Sequence, residues 1–392
     1  MSAPRQTKSF LMSKLREIGV EPNSRHGQNF LIDLNLVQMI ADSADLGPRD
    51  VVLEIGTGTG SLTTLMAPLA SHVVTVEIDG NLFELASEQL LRFDNVTQLR
   101  VDALHNKSTF APEVMDAVGE ALRGTPDSRL KLVANLPYNV ATPILSNLLL
   151  CEHTPHSMVA TIQKEVADRI VAEPWSKDYG ALSVWMQSQA TTEIVRIMSP
   201  KVFWPAPKVE SAIVRIVVDP ERRAAIPDLK YFQQIVRALF LHRRKFLRAN
   251  VVSAMKRHLT KEQIDAVLDE MGFAPDTRTE QVDILALQAF AEKLRQLAPD
   301  CTPLVIAPPG LLAFLDFRRT LTAPPPQTET PTMAFIEMTG QQLDKLLVED
   351  ELHHDDLVAA GVNEATIVRV NREGDIEVRR PEGWEVVGGL IG

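Results

Sequence analysis

The run Leu53-Glu-Ile-Gly-Thr-Gly-Thr-Gly-Ser61 constrains this chain more than any other stretch. It leaves a β-branched segment, Val51–Ile55, and enters a stretch with apolar residues at helical spacing, Leu62–Leu69. Glycines at 56, 58 and 60 allow a tight turn between strand and helix and let the backbone approach a nucleotide-like ligand. Dinucleotide folds space their glycines G-x-G-x-x-G, whereas here the spacing is G-x-G-x-G. A strand–glycine loop–helix unit of this kind belongs in an α/β fold.

The neighbouring sequence repeats the alternation. Val73–Glu77, Val96–Val101 and Lys131–Ala134 read as further short strands, with Leu82–Leu91 and Pro143–Leu150 as helices. Met158–Ile162 and Ser211–Val218 extend the sheet on its far side. The long stretch Ala111–Leu130 between the third and fourth strands reads as a surface insertion. Two successive strands end in acids. Glu77, in Val76-Glu-Ile-Asp79, stands where a carboxylate accepts both hydroxyls of a ribose. Asp102, in Val101-Asp-Ala103, stands where one accepts an adenine amino hydrogen. Glycine loop, acid and acid in that order suit an adenosyl ligand without a pyrophosphate; the plainer alternative is that both acids cap helices.

The fourth strand runs into Asn135-Leu-Pro-Tyr138. The Asn135 amide oxygen and the Leu136 carbonyl are two acceptors that can converge on one amino group. Pro137 stiffens the turn, and Tyr138 offers a flat face to a base. Methylating an exocyclic amine needs such a set, because the nitrogen lone pair is delocalised into the ring. Fixed acceptors on its hydrogens favour the pyramidal, nucleophilic form.

The net charge of −11 is unevenly spread: residues 301–392 hold 15 acids and 7 bases, while Lys230–Lys261 holds nine bases and no acid. Overall acidity therefore does not exclude a polyanionic partner met locally. After Asp219-Pro220 the pattern turns helical, over Tyr231–Leu241, Lys245–Leu259, Lys261–Met271 and Ile284–Leu297, with Gly272 as a helix stop. Residues 298–332 contain eight prolines and read as a linker. Residues 333–392 read as a small acidic unit: a helix capped by Thr339 through Leu347, then strands at Thr366–Val370, Asp375–Arg380 and Trp384–Val387. No apolar run is long enough to span a bilayer, and Met1–Lys8 lacks the apolar stretch expected of a secretory signal. Cys151 and Cys301 form neither a disulfide framework nor a metal pattern, and a cytoplasmic location is expected. His353-His-Asp-Asp356 reads as a solvated acidic face rather than a metal site.

Five collinear motifs resemble the ribosomal RNA adenine N6,N6-dimethyltransferases of the kasugamycin-sensitivity type. They are Gly27-Gln-Asn-Phe-Leu-Ile-Asp33, Leu53–Gly60, Val76–Asp79, Asn135-Leu-Pro-Tyr-Asn139 and Phe203-Trp-Pro-Ala-Pro-Lys-Val-Glu-Ser211. Leu241-His-Arg-Arg-Lys-Phe-Leu247 also fits that family's helical part. The resemblance spans about residues 8–297. It implies a Rossmann-like class I methyltransferase sheet over 1–218 and a helical RNA-binding domain over 219–297, ahead of the linker and an α+β tail module. It implies S-adenosylmethionine as cofactor, with Asn29 and Leu31 closing over it, Gly56 and Gly58 backing its methionine part, Glu77 on the ribose and Asp102 on the adenine. Asn135 would hold the target amine with the Leu136 carbonyl, Tyr138 would stack on the base and Phe203 would flank it. Arg243, Arg244, Lys245 and Arg248 would meet RNA. The expected partners are small-subunit rRNA and the assembling small subunit, met by a monomer that needs neither metal nor membrane.

Four other readings stay open at this level. A nicotinamide-dependent dehydrogenase is opposed by the glycine spacing and the Asn-Leu-Pro-Tyr turn. A non-catalytic nucleic-acid-binding relative of mitochondrial type is disfavoured because Gly27-Gln-Asn leaves little room for a transit peptide. A large-subunit rRNA methyltransferase of the antibiotic-resistance type and, more weakly, a DNA adenine methyltransferase share the chemistry.

Overall fold

The computed structural model describes residue 13, residues 29–299 and residue 301, together with four short segments between 336 and 389. The chain divides into two compact units, Met1–Leu304 and Val305–Gly392.

The first unit is built on a seven-stranded sheet. In chain order its strands are β2 (Asp50–Ile55), β3 (His72–Glu77), β4 (Val96–Arg100), β7 (Arg129–Asn135), β8 (Ser157–Gln163), β9 (Ala190–Met198) and β11 (Ser211–Val218), while the short strands β1 (Phe30–Leu31) and β10 (Phe203–Trp204), and β5 (Leu104–Asn106) and β6 (Thr109–Phe110), pair outside it. Across the sheet the order is β4-β3-β2-β7-β8-β11-β9. The first five of these strands are mutually parallel, and β11 runs antiparallel to both β8 and β9. The sheet is thus mixed rather than purely parallel. All six residues of β2 are buried, as expected of a central strand covered on both faces. Strand order reverses between β2 and β7, so the carboxyl ends of these two strands flank a topological switch point, where open α/β sheets bind ligands.

Helices α1 (Leu34–Ser43), α2 (Ser61–Met66) and α3 (Gly80–Leu90) follow the first strand-like segments. Asp33 caps α1 through the Asn35 N–H, and Asp79 caps α3 through the Asn81 and Leu82 N–H groups. The stretch expected to be a surface insertion is instead α4, Pro112–Gly124, a crossover helix packed on the sheet. Pro112 starts it at the position where a missing N–H costs nothing, and Val114 and Val118, one helical turn apart, are fully buried. The i, i+4 spacing of those two valines is the helical signal in this stretch.

Helices α5 (Tyr138–Leu148), α6 (Lys164–Val171) and α7 (Ala181–Gln187) flank the far strands. Beyond β11 come α8 (Pro220–Ala224), α9 (Leu229–Phe240), α10 (Leu247–Met255), α11 (Lys261–Glu270) and α12 (Ile284–Leu297). Gly272 ends α11 with φ 70°, as a left-handed stop should. The buried faces of α9, α10 and α12 join the apolar core that also holds β8, β11 and α7. Trp185 packs on Phe232 with ring centroids 6.4 Å apart. Among the described residues no helix is long and apolar enough to cross a membrane.

In the second unit the described residues form a four-stranded antiparallel sheet, β12 (Ile336–Thr339), β13 (Ile367–Val370), β14 (Asp375–Arg380) and β15 (Gly383–Gly389). The three expected strands are β13, β14 and β15, and β12 is a fourth beyond them. The helix expected from Thr339 through Leu347 and the His353–Asp356 run lie outside the described residues.

Candidate active site

Three strand ends meet at the switch point. Leaving β2, the loop carries Gly56, Gly58 and Gly60 at φ 86°, 56° and 76°, conformations that a Cβ would strain. A Cβ on Gly56 would also stand 3.6 Å from the Pro137 ring, and one on Gly58 would stand 3.6 Å from the Phe30 ring. The loop is therefore a bare backbone cradle between the Asn135–Tyr138 turn and the short strand β1 (Phe30–Leu31).

Glu77 ends β3 and is only 5% exposed. Its Oε2 accepts the Gly58 N–H at 2.8 Å and its Oε1 accepts the Asp79 N–H at 3.0 Å. These bonds tie the acid to the glycine loop rather than to a helix end; the helix cap is its neighbour Asp79. Burial pushes the Glu77 carboxyl above its ordinary range, and the two N–H donors oppose that rise. Between Glu77 and Asp79, Ile78 is 50% exposed and offers an apolar face beside two acids. Asp102 is exposed beyond β4, with its Oδ1 accepting the Leu104 N–H at 2.9 Å.

Beneath the loop lies Glu54, fully buried. Its Oε2 accepts the Thr63 hydroxyl at 2.5 Å and the Thr75 hydroxyl at 2.6 Å. Thr75 in turn shares a 2.6 Å hydrogen bond with Thr57 of the loop. Burial lifts the Glu54 carboxyl to about 8, with nearby Glu77 adding to the rise.

Asn135 ends β7. Its side-chain Nδ2 donates to the Asn29 carbonyl at 3.1 Å, which fixes the other amide atom, Oδ1, as the acceptor end of the side chain. The Leu136 side chain is buried and its N–H donates to the Thr161 carbonyl at 3.2 Å, pinning the turn to β8. Tyr138 opens α5 and is half-buried; its hydroxyl is 2.5 Å from the Ser211 hydroxyl at the start of β11. Burial raises the phenol, which therefore stays neutral at physiological pH.

Phe203 lies in β10 (Phe203–Trp204), paired antiparallel with β1 so that Leu31 faces Phe203 and Phe30 faces Trp204. The Phe203 ring is 2% exposed and sits in the core group under α1, with Ile40 and Ile213. It enters the site through this pairing rather than as an open aromatic face. Trp204 packs with Phe30 and Ile32 against Leu82.

The basic candidates separate. Arg243 donates to the Lys177 and Tyr179 carbonyls and pairs with Glu280 at 3.8 Å. Arg248 makes a two-pronged pair with Asp265 at 2.6 and 2.7 Å. Arg244 and Lys245 are exposed in the turn between α9 and α10, outside any helix. The structure thus brings Asn29, Gly56, Gly58, Glu77, Asn135, Leu136 and Tyr138 to the carboxyl ends of β2, β3 and β7, with Leu31 of β1 packed toward the core under α1, Asp102 beyond the end of β4, and the four basic residues on other segments. Glu54, Ile78 and Ser211, which the motifs contain without marking them out, join the site through their positions beside Gly56, Glu77 and Tyr138.

The chain is similar in sequence and fold to known proteins. The model of the ribosomal RNA adenine dimethylase family matches residues 19–289. The chain is 40% identical over 272 residues to a ribosomal RNA small subunit methyltransferase A of Pediococcus pentosaceus, covering 69% of this chain and 89% of that one. It is 38% identical over 270 residues to the protein of that name from Streptococcus pneumoniae, covering 69% and 90%. Among solved structures, a dimethyladenosine transferase from Plasmodium falciparum has a TM-score of 0.57 at 22% identity, over 68% of this chain and 97% of that one, a likeness of fold. The 23S rRNA methyltransferase ErmE has a TM-score of 0.50 at 26% identity, over 68% and 100%. With the glycine cradle, the anchored acid and the Asn-Leu-Pro-Tyr turn at neighbouring strand ends, and with this match over most of its length, this chain belongs to the ribosomal RNA adenine dimethylase family.

Proposed function

We propose that this protein methylates the N6 amino group of adenines in small-subunit ribosomal RNA, adding two methyl groups per base, with S-adenosylmethionine as the methyl donor. The observation that carries this reading is the Asn135 amide. Its nitrogen is committed to the Asn29 carbonyl, so its oxygen is the atom offered to an amine beside the glycine cradle.

The cleft fits an adenosyl group: a carboxylate at Glu77 for two ribose hydroxyls, the exposed apolar Ile78 for a purine face, and the Asp102 carboxylate for an amino hydrogen. Gly56 and Gly58 leave room for the methionine part, and Asn29 and Leu31 lie on the chain that covers it. When bound, S-adenosylmethionine supplies a methyl group activated on sulfonium sulfur. The protein's own residues prepare the acceptor. Asn135 Oδ1 and the Leu136 carbonyl take the two amino hydrogens, keep the lone pair out of the ring and disperse positive charge on the nitrogen. Tyr138, held by Ser211, presents a neutral ring on which the target base stacks. A base reached this way leaves its own stack.

In this reading residues 1–218 carry the chemistry and residues 219–297 meet RNA, with Arg244 and Lys245 as the accessible phosphate contacts. Identity of 38–40% to small-subunit methyltransferases, against 26% to the 23S enzyme, supports the small subunit as substrate. The test is incubation of the full chain with labelled S-adenosylmethionine and undermethylated small subunits, followed by nucleoside analysis. Label in N6,N6-dimethyladenosine is expected; label only with large-subunit RNA overturns the assignment.

A further inference from the structure

Trp175 stands in a conformation that folding alone does not explain. Residues Glu173-Pro174-Trp175-Ser176 form a tight turn closed by the Ser176 N–H on the Glu173 carbonyl at 3.2 Å. Trp175, third in the turn, has φ 73°. Proline second and a positive φ third define a type II turn, whose third position suits glycine or asparagine. A bulky residue there is a genuine outlier. Its side chain is 73% exposed, so burial does not offset the strain. Strain of this kind, held in place by its surroundings, points to a functional use.

The surroundings do hold it. The Trp175 N–H donates to the Glu280 carbonyl at 2.9 Å. Arg243 donates to the carbonyls of Lys177 and Tyr179 and pairs with the Glu280 carboxylate, stapling the Trp175 loop to the turn before α10. Phe246, at the end of that turn, is 49% exposed and bridges Arg278 in antiparallel fashion. Three segments thus bring two exposed aromatic rings together with four exposed cations, Lys177, Arg244, Lys245 and Arg278. The exposed acids on the same segments are Glu173 and Asp276, and the half-buried Asp178 acts on Lys164. Lys164 follows Gln163, whose partner across the ladder is Ser211, the residue that fixes Tyr138.

Exposed aromatic rings among cations are how proteins bind unpaired nucleotides: cations track the phosphates and rings stack on bases. We propose that Trp175 is a stacking platform for an unpaired base of the RNA substrate, outside the methylated nucleotide, with Arg244, Lys245 and Arg278 holding the adjoining phosphates. This rests on the RNA-methylating function proposed above.

The experiment uses the full chain and undermethylated small ribosomal subunits. Binding is measured at several salt concentrations for wild type, Trp175→Gly, Trp175→Phe and the double variant Arg244→Ala/Lys245→Ala. Wild-type methyl transfer to the same particles is followed in parallel. Glycine suits the turn, so Trp175→Gly should melt no lower than wild type. It should bind about five- to a hundredfold more weakly, as loss of one base–aromatic stack predicts, with the salt slope unchanged. Trp175→Phe should regain most of the affinity, and the double variant should lower the slope. A photo-crosslinking amino acid at position 175 should join to an rRNA nucleotide. Affinity within twofold of wild type for Trp175→Gly, equal loss in Trp175→Phe, or crosslinks only to ribosomal protein overturns the stacking role. Absence of methyl transfer by the wild type would overturn the enzymatic reading itself, a distinct outcome.

Discussion

Glu54 makes the stability of the glycine loop depend on pH, and replacing it with glutamine should remove that dependence. Its carboxyl rises from 4.5 to about 8, first because burial penalises the charge and further because Glu77 is near, against the opposing hydroxyls of Thr63 and Thr75. An acid whose pKa rises on folding holds its proton more tightly folded than unfolded. Stability is therefore lost as pH climbs from 4.5 toward 8 and is flat above. With those two values the cost is about 2 kcal/mol at pH 6 and about 5 kcal/mol at pH 9, a difference of roughly 2–3 kcal/mol. Glutamine keeps an oxygen for both threonine hydroxyls and cannot ionise. Melting wild type and Glu54→Gln by circular dichroism at pH 6, 7, 8 and 9 should show the variant gaining on wild type with pH. The gain should total roughly 5–10 °C for a unit of this size. A gap between the two proteins that stays constant across this range would show that Glu54 is already charged, and would refute the reasoning.

Asn135→Ala should lower single-turnover methylation by about 10²–10³, roughly 2.7–4 kcal/mol, while calorimetry finds cofactor affinity little changed; a rate within threefold means Asn135 does not hold the amine. Cofactor binding should weaken as pH falls, beginning above the ordinary carboxylate range because Glu77 is raised. Glu77→Gln should flatten that dependence and weaken binding by about 1.5–3 kcal/mol at neutral pH, as titration calorimetry at several pH values will show. Charge reversal at Arg244 and Lys245 should reduce affinity for small subunits and lower its salt slope, whereas reversal at Arg248 should mainly break the pair with Asp265 and show in the melting temperature. Removing Val305–Gly392, the second compact unit, should leave methylation of isolated small subunits largely intact; lost activity in a soluble truncated protein would refute its independence.

Local sequence determined the elements and their chemistry. Glycine spacing, acids at strand ends and β-branched runs are short-range signals, and α2, α3, β3 and β7 came out where those signals put them. The Asn135-Leu-Pro-Tyr138 turn was legible because proline and its neighbours restrict the backbone on their own. What depended on long-range packing was not. Helix α4 looked like an insertion until Val114 and Val118 were seen against the sheet, and β9 was missed because it is an edge strand with many exposed residues. The motif containing Phe203 was visible, yet only the β1–β10 pairing shows its ring turned into the core. Arg243 and Arg248 looked equivalent to Arg244 and Lys245 in an acid-free run. Their acids, Glu280 and Asp265, lie 37 and 17 positions away in sequence and meet them only in the folded chain. Spacing along the chain determines which backbone a residue adopts; which charges are spent on one another, and which remain for a partner, is decided by contacts that close only when the sheet and helices have packed.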